Sequence, residues 1–190
     1  ILIVNLKRNL MNIFYLSNDP NKAASYQYNK HVVKMILETA QLLCTAHHEL
    51  GSNIEVPYKP THKNHPSAVW VRSSVEAYMW AYEHMLALGR EYTRRYGKQH
   101  LTISKCRELL YTLPKNISNA PFEQPPQCMP EEYRVDDAVD GYWNYYIAEK
   151  ANCCNLNTGE QLHTAQPIQE ASSDYYNAIR EVEGVELTIL

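Results

Sequence analysis

The segment His31-Val32-Val33-Lys34-Met35-Ile36-Leu37-Glu38 decides the fold, because it lies inside the longest helical pattern of the chain, residues 19–50. Pro20 suits a first helical turn, and Asn18 or Asp19 precedes it as a candidate cap. The apolar face of this pattern comprises Val32, Val33, Met35, Ile36, Leu37, Ala40, Leu42, Leu43 and Cys44. The pattern therefore predicts a long amphipathic helix with one face in the core.

A polar stripe follows the same predicted helix at steps of three and four residues. Its members are Gln27, His31, Lys34, Glu38, Gln41, Thr45 and His48. Lys34 and Glu38 are four residues apart, so their side chains are expected to touch. Two interpretations stay open. The stripe is either the solvated face of the helix, or it lines a site with Glu38 as its carboxylate and with His31 and Lys34 as its cationic rim.

Length and composition favour one mostly α-helical domain. A chain of 190 residues is one domain, or one domain with an appendage. It has only six Gly and few alternating β-branched runs, which predicts a compact bundle of about four helices joined by proline-rich connectors. No apolar run approaches the roughly 18 residues that a membrane span needs. Five scattered Cys are typical of a reducing cytoplasm rather than of a disulfide framework.

The charges are distributed unevenly along the chain. Residues 58–115 contain ten Lys or Arg and four Asp or Glu, whereas residues 116–190 contain three and thirteen. A basic middle segment in an acidic chain indicates an anionic partner there, unless neighbouring helix faces cancel the charge in space.

The remaining pattern predicts three further helices, at residues 67–96, 102–111 and 135–151. The second of the four helices has Val69, Val71 and Val75 among its apolar positions. A proline-rich stretch, residues 121–130, precedes the last helix and could lie extended across a groove. Residues 1–10 precede Met11 as a possible upstream extension, residues 11–151 form the helical core, and residues 152–190 form a divergent tail with a short helical candidate at 173–183.

A loop rich in basic and polar residues leads into the second helix, whose first residue is Pro66. Free backbone N–H groups and the helix dipole at such an N-terminus favour anions, which predicts a phosphate site. The expected DNA contacts are Lys59, His62, Lys63, Asn64, His65, Arg72 and Lys115. His62 and His65 are also possible metal ligands, but no Cys or carboxylate joins them at ligand spacing, so no metal is predicted.

Residues 11–150 resemble a group of small phage-encoded proteins of unassigned role and, more distantly, the pyrimidine-dimer DNA glycosylases of the endonuclease V type. That family carries a catalytic Glu on its first long helix, with a His seven residues earlier in the phage enzyme, and Glu38 and His31 have this spacing. Asn64-His65-Pro66 matches the start of the next helix in bacterial members. Tyr145, Tyr146 and Lys150 share only the aromatic and basic character of the family's fourth helix.

The resemblance implies a compact helical fold and DNA glycosylase activity with AP-lyase activity, without a cofactor. The family's nucleophile is its N-terminal α-amine, which attacks the sugar C1′ and forms an imine. In this chain that role falls to Asn12 if Met11 is removed, although the family has threonine at this point and Asn usually retains the methionine. Lys34 is the substitute amine, and Glu38 stabilises the sugar cation and moves protons.

The resemblance also implies duplex DNA as the partner of a monomer in the cytoplasm of an infected bacterial cell. Two alternatives remain. One is an enzyme acting on nucleotides or modified bases with the same helical frame, again centred on Glu38. The other is a non-enzymatic phage protein that binds nucleic acid or a host protein.

Overall fold

A computed structural model describes residues 11–150, and within that range all regular structure is helical, with no strand. This confirms the mostly α-helical fold. The helices are α1 (Pro20–Ser25), α2 (Asn29–Leu50), α3 (Pro66–Val71), α4 (Val75–Tyr96), α5 (Leu101–Cys106) and α6 (Ala138–Tyr145). A 3-10 turn at Glu131–Tyr133 precedes α6, and a π-helical turn at Tyr146–Lys150 follows it. The predictions for residues 1–10 and 152–190 lie outside the described residues.

The two longest helices, α2 and α4, pack against each other and run antiparallel. His47 near the end of α2 meets Tyr78 near the start of α4, with 3.0 Å between Nε2 and the hydroxyl. At the other end, Asn29 Oδ1 at the start of α2 accepts from Arg95 near the end of α4. Gln27, just before α2, lies 3.2 Å from His84 Nε2 near the middle of α4. Val32, Ile36, Leu43 and other α2 side chains fill the space between the two helices, together with Met85 and Leu88 of α4. None of the described helices is long and apolar enough to cross a membrane.

The predicted first helix is two helices, because the chain leaves helical geometry between Ser25 and Asn29. Arg95 of α4 stabilises this break. Its guanidinium donates to Ser25 O at 3.1 Å, to Gln27 O at 2.7 Å and to Asn29 Oδ1 at 3.1 Å. A helix end leaves backbone carbonyl oxygens without intrahelical N–H partners, and Arg95 supplies donors to those of Ser25 and Gln27. Gln27, predicted on the polar stripe, is buried in this break instead.

The predicted second helix is also interrupted, after Val71. Ser74 begins α4 as its N-cap, with its hydroxyl accepting from Ala77 N at 3.1 Å. A serine in this position offers the orphan N–H groups a partner, so a new helix starts here. Val69, predicted to be a core residue, is 45% exposed on α3.

The third and fourth predicted helices are shorter than expected. The third ends as a regular helix at Cys106 and continues only as turns, and the fourth starts at Ala138 rather than at residue 135. Asp137 sets that start, because its carboxylate accepts from Val139 N at 2.8 Å and from Asp140 N at 3.2 Å.

The segment before α1 is a buried strip between α4 and α6. Ile13, Tyr15 and Leu16 are at most 1% exposed. The Trp143 indole donates to Leu16 O at 2.9 Å. The Trp80 indole similarly holds the next turn, through Asn18 O at 2.8 Å. The strip thus ties the first described residues to α6.

The proline-rich connector is fixed by side chains that satisfy its backbone. Tyr142 donates to Pro126 O at 2.9 Å, and the Gln127 amide bonds both to the N–H and to the carbonyl of Val135. Gly141 is required for this arrangement, since a Cβ there would lie 2.0 Å from Gln127 Oε1. The connector therefore forms a rigid wall beside α3 and α6.

Candidate active site

Lys34 and Glu38 form an ion pair on the outer side of α2, with 2.9 Å between Nζ and Oε1. This confirms the predicted contact. The Lys34 side chain is 53% exposed and that of Glu38 only 17%. Val33 and Leu37, predicted to face the core, are 40% and 38% exposed beside the pair. Each directly follows a core residue and is therefore turned about 100° away from the core.

His31 lies one turn before this ion pair and is held by aromatic groups. Its ring stacks on Phe14, with 4.4 Å between centroids, and its Nδ1 is 2.7 Å from the Tyr146 hydroxyl. Burial, together with the nearby charges of Lys150, Lys34 and Lys30, lowers the pKa of His31 to about 4. The prediction that His31 is a cation of the rim is therefore wrong, because its ring is neutral near pH 7.

Asn12 is buried and forms a turn that directs the chain toward His31. Its Oδ1 accepts from Ile13 N at 2.8 Å and from Phe14 N at 2.9 Å, while its Nδ2 donates to Cys128 O at 2.9 Å. Phe14 has a left-handed backbone, with φ of 49°, which is uncommon for an aromatic residue. This backbone conformation places the Phe14 ring against His31.

His65 approaches Glu38 from the loop before α3. Burial lowers the pKa of His65, the charge of His62 lowers it further, and Glu38 opposes both by raising it, which shows that the carboxylate is near. Thr45 of α2 anchors the loop, because its hydroxyl accepts from Thr61 N at 3.1 Å. Thr45, predicted on the polar stripe, is therefore buried and structural.

The predicted phosphate site at the start of α3 does not have free backbone donors. Pro66 has no N–H, Ser67 N donates to His65 Nδ1 at 3.2 Å, and Ala68 and Val69 both donate to His65 O. A helix N-terminus binds an anion through unpaired N–H groups, so this reason for the site is wrong. Any phosphate contact here must come from side chains.

The other predicted DNA contacts are spread over the surface. Lys115 lies next to Gly51 at the far end of α2, about 18 Å along the helix from Glu38 at 1.5 Å per residue. Arg72 is half-buried, and its Nη1 is buried without a hydrogen-bond partner in the part of the chain that the structure describes. The fully exposed members of the predicted set are Lys59, His62, Lys63, Asn64 and Lys115.

The structure adds three residues to the site that the sequence did not assign to it: Phe14, Tyr146 and Lys150. Phe14 and Tyr146 contact His31 directly, and Lys150 follows in the same π-helical turn. The only signal for them was the run of aromatic residues ending in a lysine at the end of the fourth helix. Within residues 11–150, no three His, Cys, Asp or Glu side chains are grouped as a metal site requires.

A cavity of about 540 Å³ opens beside His65, between α3 and the proline-rich connector. Its walls include Gln127, Met129, Arg134 and Asp136. Volumes of 300–1,000 Å³ are typical of sites for small ligands. The cavity therefore has room for a nucleoside-sized molecule next to His65.

No family model, curated protein or solved structure matches the chain. The resemblance to the endonuclease V type therefore stays a prediction, and the function is argued from the site itself.

Proposed function

We propose that the protein acts on DNA as a damaged-base glycosylase with AP-lyase activity, pyrimidine dimers being the expected lesion and Glu38 the central carboxylate. One observation carries the proposal: contacts link the buried strip at Asn12 to the His31 turn of α2 and to the start of α3 beside His65, and Glu38 lies two turns along α2 from His31. Asn12 lies two residues from Phe14, which stacks on His31, and its side chain reaches Cys128, which contacts Ser67 after His65. Such convergence of distant segments is typical of a catalytic site.

The proposed reaction has two stages. An amine attacks the sugar C1′ of a nucleotide extruded from the duplex, and the glycosidic bond breaks with its electron pair leaving on the base. The sugar ring then opens: the C1′–O4′ bond breaks with its electron pair going to O4′, which takes up a proton, while the nitrogen loses a proton and forms the imine with C1′. A base then removes a C2′ proton, and the strand breaks by expulsion of the 3′ phosphate. Glu38 stabilises the cation in the first stage and accepts the C2′ proton in the second.

Two groups in the site are candidates for the amine. If the chain begins at Asn12, its α-amine lies in the buried strip near His31. The ordinary pKa of an α-amine, about 7.7–8.0, leaves it partly neutral near pH 7. Lys34 is closer to Glu38 along the helix, but its ammonium is engaged in the ion pair and must leave it to react. The α-amine is the favoured nucleophile for this reason.

Borohydride trapping tests the proposal, because reduction of the imine leaves a covalent protein–DNA adduct. Abasic and dimer-containing duplexes are incubated with the full chain and with a chain that begins at Asn12, each with and without Lys34→Ala. We expect an adduct from the Asn12 chain that survives Lys34→Ala. An adduct lost with Lys34→Ala would identify the lysine instead, and no adduct from any form would overturn the glycosylase proposal.

A second candidate is an enzyme that acts on nucleotides or modified bases at the same carboxylate. The cavity beside His65 favours it, since its volume suits a single nucleoside unit. Mass spectrometry of nucleosides and nucleotides after incubation with the protein tests this candidate. A product that requires Glu38 but gives no borohydride adduct would support it, whereas DNA binding without any product would favour a non-enzymatic binding protein.

A further inference from the structure

The π-helical turn after α6 is docked onto the start of α2 through one hydroxyl group. Tyr146 Oη accepts from Tyr28 N at 2.9 Å and lies 2.7 Å from His31 Nδ1. The Tyr146 ring stacks on Tyr28, with 4.8 Å between centroids and 10° between planes, and contacts the edge of Phe14. The hydroxyl position is therefore set by packing on two sides as well as by the hydrogen bonds. π-helical turns occur frequently at functional sites.

This geometry favours one of the two neutral tautomers of His31. A phenol hydroxyl is a stronger donor than a neutral imidazole N–H, so a 2.7 Å contact between them places the proton on oxygen, pointing to Nδ1. The hydroxyl oxygen also accepts from the Tyr28 N–H, and donation of its proton to Nδ1 then uses the group as both acceptor and donor. With Nδ1 accepting, the neutral ring carries its own proton on Nε2 and can donate it to a ligand.

The same docking brings cations from two parts of the chain to His31. Lys30 and Lys34 flank it on α2, and Lys150 belongs to the docked turn, with its Nζ 4.7 Å from the Tyr145 ring centroid. All three lie close enough to lower the pKa of His31. Two carboxylates are nearby: Glu38 pairs with Lys34, and Glu149 accepts from the Tyr133 hydroxyl at 2.8 Å. Positive charge therefore exceeds negative charge around a neutral ring that has an N–H to donate.

We propose that His31, Lys30, Lys34 and Lys150 form a phosphate-binding site in which Tyr146 holds His31 as the neutral tautomer protonated on Nε2. Phosphate oxygens accept hydrogen bonds from N–H donors and pair with ammonium groups. A neutral histidine is suited to this role because it stays a donor without needing to gain a proton. The site is separate from the basic segment 58–115 and does not depend on glycosylase chemistry, since the phosphate can belong to duplex DNA or to a free nucleotide.

NMR of ¹⁵N-histidine-labelled full-length protein tests both parts of the proposal. At pH 7 we expect the His31 signals of a neutral ring protonated on Nε2, and in Tyr146→Phe a mixture of the two neutral tautomers. Tyr145→Phe is the matched control, because Tyr145 does not contact His31 through its hydroxyl. A His31 tautomer that is the same in Tyr146→Phe and the parent protein would overturn the positioning role of Tyr146.

Titration with inorganic phosphate, thymidine 5′-monophosphate and a duplex oligonucleotide then tests the binding site. We expect the His31 Nε2 signal to shift on titration, and Lys150→Gln to weaken the affinity by about tenfold, the usual loss for one charge-assisted contact. Lys105→Gln, on the exposed face of α5, should leave it unchanged. A shift with the monophosphate alone identifies a free nucleotide as the source, and a shift with the duplex identifies DNA. No shift with any of the three, or equal affinity in Lys150→Gln, would overturn the site.

Discussion

Two groups of cations at the same end of the molecule have opposite roles. At the end of α4, Arg95 is only 9% exposed in its side chain, and its donors are used by Glu91 and by the chain between α1 and α2. At the start of α2, Lys34 is 53% exposed and has one partner, Glu38. The arginine is therefore part of the scaffold, and the lysine is available to a ligand. A count of charges along the sequence does not distinguish them.

The basic segment 58–115 is less available than its composition indicates. Three of its arginines pair with carboxylates, and a fourth, Arg90, donates to Asn21 Oδ1 at 2.6 Å. In contrast, the lysines around His31 lie outside that segment. We therefore expect the anionic partner to bind at the start of α2 rather than at the basic segment.

The largest effect is expected for Glu38, the partner of the exposed Lys34. Glu38→Gln keeps the shape of the side chain, so folding should be preserved. The rate of borohydride trapping should fall by about 10²- to 10⁴-fold, the usual cost of losing a general acid or base. Thermal melting provides the control for folding. A fully active variant, or one that unfolds, would show that Glu38 is not the catalytic carboxylate.

The next largest effect is on the free energy of unfolding and is expected for Arg95. Arg95→Met removes the donors for three acceptors in the break before α2, and we expect a loss of about 3 kcal/mol in the free energy of unfolding. Arg94→Met is the matched control, because Arg94 is 63% exposed and shares the same Glu91. That change should cost under about 0.5 kcal/mol. Urea denaturation measures both, and equal losses would remove the contrast between the two arginines.

The buried histidines predict a loss of stability in acid. Burial lowers the pKa of His84 to about 3, and that of His31 is lowered to about 4, against about 6.5 in the unfolded chain. Above pH 6.5 their stabilisation is fully present. As the pH falls toward 4, only the unfolded state gains these protons, so each residue reduces the free energy of unfolding by up to about 1.4 kcal/mol per pH unit.

His84→Phe should therefore flatten the pH dependence of urea unfolding between pH 6 and pH 4. His48→Gln is the control, since His48 is exposed at the other end of α2. The same experiment in the presence of phosphate compares the two histidines. A bound phosphate should alter the contribution of His31 to the pH dependence of stability but not that of His84. An unchanged slope in His84→Phe would mean that this ring is protonated in the folded protein.

The smallest effect is expected for a single exposed cation near the site. Lys63→Ala should weaken binding to all duplex sequences and reduce the slope of log K against log salt by about 0.9, the value for one phosphate contact. Lys105→Ala, on α5, should leave the slope as it is. The same slope in both variants and the parent protein would remove Lys63 from the DNA interface.

The sequence predicted the helical class and the contact of Lys34 with Glu38, because both depend on local periodicity. Its apolar pattern predicted continuous helices where the structure has breaks, after Ser25 and Val71. The first break depends on Arg95, 70 residues from Ser25, and no local pattern carries that information. The second had a local signal, the capping serine Ser74, which the apolar pattern around it obscured.

Only part of the candidate site could be predicted, because local periodicity groups residues of a single helix. His31, Lys34 and Glu38 share one helix, so their spacing was sufficient to group them. Phe14 and Tyr146 join them only through tertiary packing, and the neutral state of His31 follows from that burial rather than from its residue type. The expected charge on His31 was wrong because a ring with two aromatic neighbours is no longer in water.

The hydrogen bonds that close the site also determine when it can form during folding. Asn12 bonds to Cys128, Leu16 to Trp143 and Tyr28 to Tyr146, which join residues 116, 127 and 118 positions apart. Contacts of such sequence separation form late, because the entropy of closing the loop must be lost before the contact stabilises the chain. The α2–α4 pair can assemble first, with the strip at Asn12 still open. A chain emerging from a ribosome would therefore have α2 and α4 paired well before His31 acquires its partners, and the candidate site would be complete only after α6 has docked.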